Sequence, residues 1–166
     1  MIQRTTVKTP LGLIGLAVSE TGVTAIDLGA ARRTRKKHRA TVRPGKEDRR
    51  TAGLLADAQA QLEEYFSGKR RAFSIPVDLS AGTAFQRKVW RAITRIPFGR
   101  VRSYRWVAAR VGGKQYARAV GMALGANPVP IVIPCHRVIA QDGSLGGFSC
   151  GLPIKRRLLK LEGTLA

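Results

Sequence analysis

The chain has 166 residues, 44% of them hydrophobic, and carries 30 Lys and Arg against 10 Asp and Glu, a net charge of +20. That is enough apolar matter for one domain or two small ones, and a field of that sign draws polyanions, nucleic acid above all. No window reaches the roughly 18 apolar residues of a membrane-spanning helix, and the opening Met-Ile-Gln-Arg-Thr-Thr has no apolar signal core behind it. A cytoplasmic protein is expected.

The first residues alternate as strands do, over 2–7, 11–18 and, after the Glu20-Thr21-Gly22 turn, 23–28. The pattern predicts a three-stranded meander. It stops over 31–50, where Arg32, Arg33, Arg35, Lys36, Lys37, Arg39, Arg43, Lys46, Arg49 and Arg50 crowd around Pro44-Gly45. This segment reads as a solvated loop or as an arm that attracts phosphates. Leu54, Leu55, Ala58, Leu62, Tyr65 and Phe66 then fall on one helical face that would cover the sheet, with Ser67-Gly68 as the stop. A short extended stretch over 72–77 leads through Asp78-Leu79-Ser80-Ala81-Gly82, where we place the domain boundary, into 81–166.

The second half opens on Thr83-Ala84-Phe85-Gln86, a capping box ahead of an apolar face of Val89, Trp90, Ile93 and Ile96. Ser103 caps a short helix broken at Gly112-Gly113, and a further helix over about 116–125 ends before Asn127-Pro128. Two short helices around a glycine turn have the outline of a helix-turn-helix. Residues 81–166 hold 15 Lys and Arg against two acids, whereas 1–80 hold 15 against eight, so the second half is the expected DNA-contacting module.

Two cysteines, Cys135 and Cys150, give no disulfide framework and no cysteine zinc site, although a single bridge between them stays open. Pro130 and Pro134 flank a β-branched run that holds Cys135 on a rigid, non-helical segment. A thiolate is the reactive form, and a neighbouring imidazole favours it. His136 is next in sequence, but adjacent side chains of an extended backbone point to opposite faces, so contact needs a turn there or a bridging water. Glu162, one of two acids after Asp78, is a candidate to orient that imidazole; the alternative is a surface glutamate paired with Lys155 or Arg157.

Pro134-Cys135-His136-Arg137-Val138 after Asn127-Pro128-Val129-Pro130 resembles the active-site signature of the O6-alkylguanine-DNA alkyltransferases. The resemblance extends over about 82–163 through Phe85-Gln86-Arg87-Lys88-Val89-Trp90, Ile96-Pro97-Phe98-Gly99, Ser103-Tyr104, Ala117-Arg118-Ala119-Val120-Gly121, Gly146-Gly147-Phe148-Ser149 and Leu158-Leu159-Lys160-Leu161-Glu162-Gly163. It implies an α+β protein in which a small ribonuclease-H-like sheet-plus-helix domain, 1–80, precedes a winged helix-turn-helix domain, 81–166. It also implies stoichiometric, irreversible repair of O6-alkylguanine in double-stranded DNA, chiefly of methyl groups, after nucleotide flipping, by a monomer with no cofactor and no metal. The chain's cooperative assembly on DNA is left open. A DNA-binding damage sensor without transfer activity is the alternative.

By the same resemblance Cys135 is the alkyl acceptor, His136 and Glu162 complete a relay through a bound water, and Asn127 braces the cysteine segment. Arg118 enters the duplex in place of the flipped nucleotide, an ordinary phosphate contact being the plainer reading. Tyr104 meets the nucleotide's phosphate and its base edge. Tyr116, Ala117, Ala119 and Gly121 face the minor groove, and Val138 and Ser149 touch the guanine. Two positions depart from the family pattern: Phe148 replaces a frequent tyrosine, removing a hydroxyl, and Cys150 occupies a variable place at the pocket mouth.

Overall fold

A computed structural model describes residues 2–29 and 49–165, so most of the basic segment at 31–50 lies outside the described residues. The chain is mixed α+β and forms two compact units, Met1–Leu79 and Ser80–Ala166.

In the first unit β1 (Gln3–Thr9), β2 (Gly12–Val18) and β3 (Val23–Asp27) form an antiparallel meander with β2 at the centre. The β1–β2 register sets Val7 against Ile14, and the β2–β3 register sets Leu16 against Ile26. Helix α1 (Arg49–Phe66) buries Thr51, Ala58, Leu62 and Tyr65, a stripe of helical period that packs on the sheet. Arg49 and Arg50 thus belong to this helix and not to the expected loop, while Leu54, Leu55 and Phe66 are only partly covered. The extended stretch expected over 72–77 reduces to one parallel bridge, Val23 to Val77. Pro76 has no N–H to give a ladder; its carbonyl accepts from the Val23 amide at 2.9 Å, and the Asp78 amide returns a bond to Val23 at 2.9 Å.

The second unit begins with α2 (Ala84–Thr94), where the Gln86 amide donates to Thr83 Oγ1 at 3.1 Å and the Thr83 amide to Gln86 Oε1 at 2.9 Å. Both halves of the capping box are therefore made, which satisfies two donors that a helix start otherwise leaves open. Ile96 is buried but lies beyond the helix end. The two-residue strand β4 (Arg102–Ser103) precedes α3 (Tyr104–Val111), capped by Ser103 Oγ at 3.0 Å from the Trp106 amide. A 3-10 turn, Lys114–Tyr116, then enters α4 (Ala117–Gly125), so Tyr116 stands before the helix it was expected to begin. A Cβ on Gly112 would come 2.9 Å from the Tyr116 ring, so the glycine turn between α3 and α4 is also a packing requirement.

Trp90 anchors α2 to α4 by donating Nε1–H to the Ala123 carbonyl at 2.8 Å, within a core that includes Val89, Ile93, Val107, Val120 and Ile133. The strand β5 (Val138–Ile139) pairs in parallel with β4, and α5 (Leu152–Leu161) closes the unit with Leu158 and Leu159 buried. Among the described residues no helix is long and apolar enough to cross a membrane, and no three His, Cys, Asp or Glu cluster as a metal site needs.

Candidate active site

Cys135 lies past the return of the chain that follows α4. Asn127 closes that return: its Nδ2 donates to the Ile133 carbonyl at 2.8 Å and its Oδ1 accepts from the Val129 amide at 2.9 Å. Between them Ile131 is buried with φ 76°, a left-handed conformation that a β-branched residue adopts only under strain from its surroundings. Cys135–Arg137 is a 3-10 turn, where a rigid, non-helical segment was expected and a turn at His136 left open, and it is held by the Arg137 amide on the Pro134 carbonyl at 3.0 Å. Burial pushes the Cys135 thiol up to about 11 and the Cys150 thiol adds to the rise; the Asn127 side-chain hydrogen bond and the Lys155 charge pull the other way. The resting group is therefore a protonated thiol. Peptide-resolved alkylation of Cys135 by iodoacetamide in the free protein is expected to rise about tenfold per pH unit between pH 7 and 9, since the thiolate fraction grows in that proportion below the pKa; a rate already level at pH 8 would contradict a buried, protonated thiol.

His136 and Glu162 meet directly, imidazole Nε2 lying 2.7 Å from Oε1. Arg137, the adjacent residue, grips the same carboxylate through Nε to Oε2 and Nη2 to Oε1, each at 2.9 Å, and its Nη1 donates to the Ile96 carbonyl at 2.7 Å. All three residues are buried. Burial alone raises a carboxyl pKa, but the hydrogen bonds and charges of His136 and Arg137 hold Glu162 down at about 2. Burial lowers the His136 pKa against the opposing pull of Glu162, so the resting imidazole is neutral. A carboxylate only accepts, which places the imidazole proton on Nε2 and leaves the Nδ1 lone pair free. That nitrogen is buried with no hydrogen-bond partner among the described residues.

Arg137 was not singled out by sequence reasoning, and neither was Lys155, which is 1% exposed and donates to the carbonyls of Val138 at 2.7 Å and Gly147 at 3.1 Å. Its ammonium is 5.9 Å from the ring centres of both Tyr104 and Phe148. Burial lowers Lys155 to about 8 against the support of a Cys135 thiolate. A signal for it was present, because Lys155, Leu158 and Leu159 share one face of α5 at helical spacing. Tyr104, half-buried, donates its hydroxyl to the Gly147 carbonyl at 3.3 Å, and burial raises its pKa. Gly146, at φ 69°, lets the ring in; a Cβ there would come 2.8 Å from the hydroxyl.

Val138 is fully buried in β5, whereas Phe148 and Cys150 are partly exposed and Ser149 is exposed with Oγ 3.9 Å from the Cys150 sulfur. Both cysteines are free thiols. The predicted DNA-facing residues separate from this cluster onto α4 and the turn before it: Arg118 is exposed, Ala117, Ala119 and Gly121 are partly covered, and the Tyr116 ring packs 6.0 Å from Phe85. Space beside Gly121 is open within 4 Å. Met122, one helical turn beyond Arg118, is 75% exposed, an apolar neighbour on the same face that the sequence reading passed over.

Residues 84–164 match the family described as 6-O-methylguanine DNA methyltransferase, DNA binding domain, and residues 2–79 match the ribonuclease-like domain of the same enzymes. The constitutive methylated-DNA–protein-cysteine methyltransferase of Bacillus subtilis is 43% identical over 159 residues, covering 95% of this chain and 93% of the relative. A crystal structure of the Mycobacterium tuberculosis O6-methylguanine methyltransferase is similar over 100% of this chain and 95% of its own, with TM-score 0.79 and 36% identity. Another, of the M. tuberculosis protein named OGT in complex with DNA, matches 95% of this chain and 90% of its own with TM-score 0.77 and 38% identity. With both of its units matched and a buried cysteine set beside a histidine–glutamate pair, the chain belongs to the methylated-DNA–protein-cysteine methyltransferase family.

Proposed function

We propose that this protein repairs double-stranded DNA by moving the alkyl group of an O6-alkylguanine, chiefly a methyl group, onto the sulfur of Cys135, once per molecule and irreversibly. The observation that carries this reading is the buried Cys135 thiol beside a neutral His136 whose Nε2–H is committed to Glu162 and whose Nδ1 is free. An imidazole fixed in that tautomer is a base waiting for a proton. The thiol proton passes to Nδ1 through a bound water, and Glu162 stabilises the imidazolium that results. The sulfur then forms a bond to the alkyl carbon as the carbon–O6 bond breaks, and the electron pair stays on guanine. Tyr104, whose raised pKa keeps it protonated, supplies a proton to the departing base, and the nearby Lys155 charge favours the phenolate left behind. The product is a thioether, and hydrolysis of a carbon–sulfur bond has no counterpart among these groups. The donor is the DNA itself, so no cofactor enters the reaction.

The target atom lies inside the duplex, and the nucleotide must turn out to reach Cys135. Arg118, exposed on α4, takes its place in the stack, while Tyr116, Ala117, Ala119 and Gly121 allow the helix to approach the minor-groove floor closely. Val138, Phe148, Ser149 and Cys150 border the base. Phe148 brings no hydroxyl, so the Ser149 side chain or amide contacts O6, and Cys150 shapes the pocket mouth. Glu162→Gln tests the relay: single-turnover transfer from a lesion duplex is expected to slow by about 10²-fold, the lower end of what a positioned acid–base group contributes, with duplex affinity unchanged. An unaltered transfer rate would remove Glu162 from the relay.

A further inference from the structure

Helix α2 carries a second charged surface that the transfer chemistry does not use. Lys88, Arg91, Ala92 and Arg95 recur at helical spacing next to the buried stripe of Val89, Trp90 and Ile93, and with Arg110 of α3 they line a cleft of about 420 Å³. No residue of α4 lines it. Four cations in one concavity repel one another: Arg95, the C-cap of α2, is four residues from Arg91, and Lys88 is three from Arg91, the spacings at which like charges destabilise a helix.

Among the described residues of this unit no carboxylate neutralises them. Its sequence contains two acids, Asp142 and Glu162. The first accepts hydrogen bonds from Ser144, and the second is held by His136 and Arg137. None of the four cleft cations has a carboxylate partner among the described residues. Arg110 is also held in place: its guanidinium lies 3.7 Å from the centre of the Trp106 ring, with Arg102 at 5.4 Å from the same ring. Stacking of this kind orients a guanidinium while leaving its N–H groups free to donate.

A row of cations without carboxylate partners in a concave surface suits closely spaced phosphates better than a lone anion, because each phosphate contact releases a counterion and lowers the repulsion within the row. We infer that the α2–α3 cleft binds the phosphate backbone of double-stranded DNA in the flank of the same duplex, beyond the segment docked on α4. The inference rests on the DNA-binding reading of this chain, and the two fail differently. A protein that does not bind even a duplex of about one helical turn loses that reading, whereas the cleft is tested by what length adds.

Arg91→Gln/Arg95→Gln is to be compared with wild type and with Arg4→Gln/Lys8→Gln, which removes two exposed charges from β1 in the first unit. Affinity is measured by anisotropy across a salt series on a duplex of about 10 base pairs, roughly one turn, and on one about three times as long. On the long duplex the cleft variant is expected to flatten the log–log salt slope by about 2, roughly one for each lost phosphate contact, and to weaken binding about tenfold at physiological salt. On the short duplex it is expected to match the charge control. Alkyl transfer from the free base O6-methylguanine serves as the check that both variants keep a folded site, and it should equal wild type. Equal losses on both lengths would assign these arginines to the primary interface or to the general field and overturn the proposal. Unchanged long-duplex binding would overturn it as well, as would binding of anionic lipid vesicles that depends on the pair while DNA binding does not.

Discussion

Replacing Arg137 with leucine is expected to lower the melting temperature of the second unit by at least about 12 °C and to abolish measurable alkyl transfer at 37 °C. The side chain is 6% exposed and makes two hydrogen bonds to Glu162 and one to the Ile96 carbonyl. Its loss takes two charge-assisted hydrogen bonds from a buried carboxylate, and breaking one side of a buried pair costs about 3–5 kcal/mol. For a domain of this size each kcal/mol corresponds to about 4–8 °C. The double substitution Arg137→Leu/Glu162→Leu removes both charges and is expected to recover about half of the lost stability while transfer stays impaired, because His136 then has no carboxylate to hold its tautomer. Calorimetry on the three proteins decides it: equal melting temperatures for wild type and Arg137→Leu would show that the guanidinium is not what keeps Glu162 in place.

Arg118→Ala separates reaching the base from reacting with it. Transfer from O6-methylguanine in a duplex is expected to fall by about 10²-fold, the equivalent of the few kcal/mol needed to unstack and unpair a nucleotide, while transfer from the free O6-alkylguanine base changes by less than about threefold. The physical basis is position: Arg118 is exposed on α4, whereas Cys135, His136, Arg137 and Glu162 are buried. Equal losses on both substrates would place Arg118 in the chemistry or in the fold and exclude the stacking role.

The parts of this molecule that were legible in sequence are those set by local chemistry. Thr83 with Gln86, and Ser103, announced helix starts because a cap acts within three residues. The meander and the stripe of α1 followed from periods of two and 3.6. What escaped was set by contacts distant in sequence. Arg137 entered only as part of the Pro134–Val138 signature and Lys155 only as a surface partner for Glu162, and only the fold brings Glu162 to the one and the Val138 and Gly147 carbonyls to the other. Glu162 itself allowed two readings, a surface pair with Lys155 or Arg157 or a buried partner of His136, until the C-terminal end of α5 was placed against the Cys135–Arg137 turn. That turn was left open beside a bridging water, because flanking prolines suggested only a rigid, non-helical segment, although the Pro134 carbonyl accepts the hydrogen bond that tightens it. At 72–77 the apolar residues suggested a strand, and Pro76 allowed one bridge.

The most direct test of the central claim is mass spectrometry of the intact protein and its peptides after incubation with a duplex carrying a single O6-methylguanine, alongside Cys135→Ser. The account predicts one methyl group per protein, located on Cys135, saturating at that stoichiometry and missing from the variant. A protein that binds the lesion and remains unmodified, or that carries the methyl group on Cys150, would contradict it.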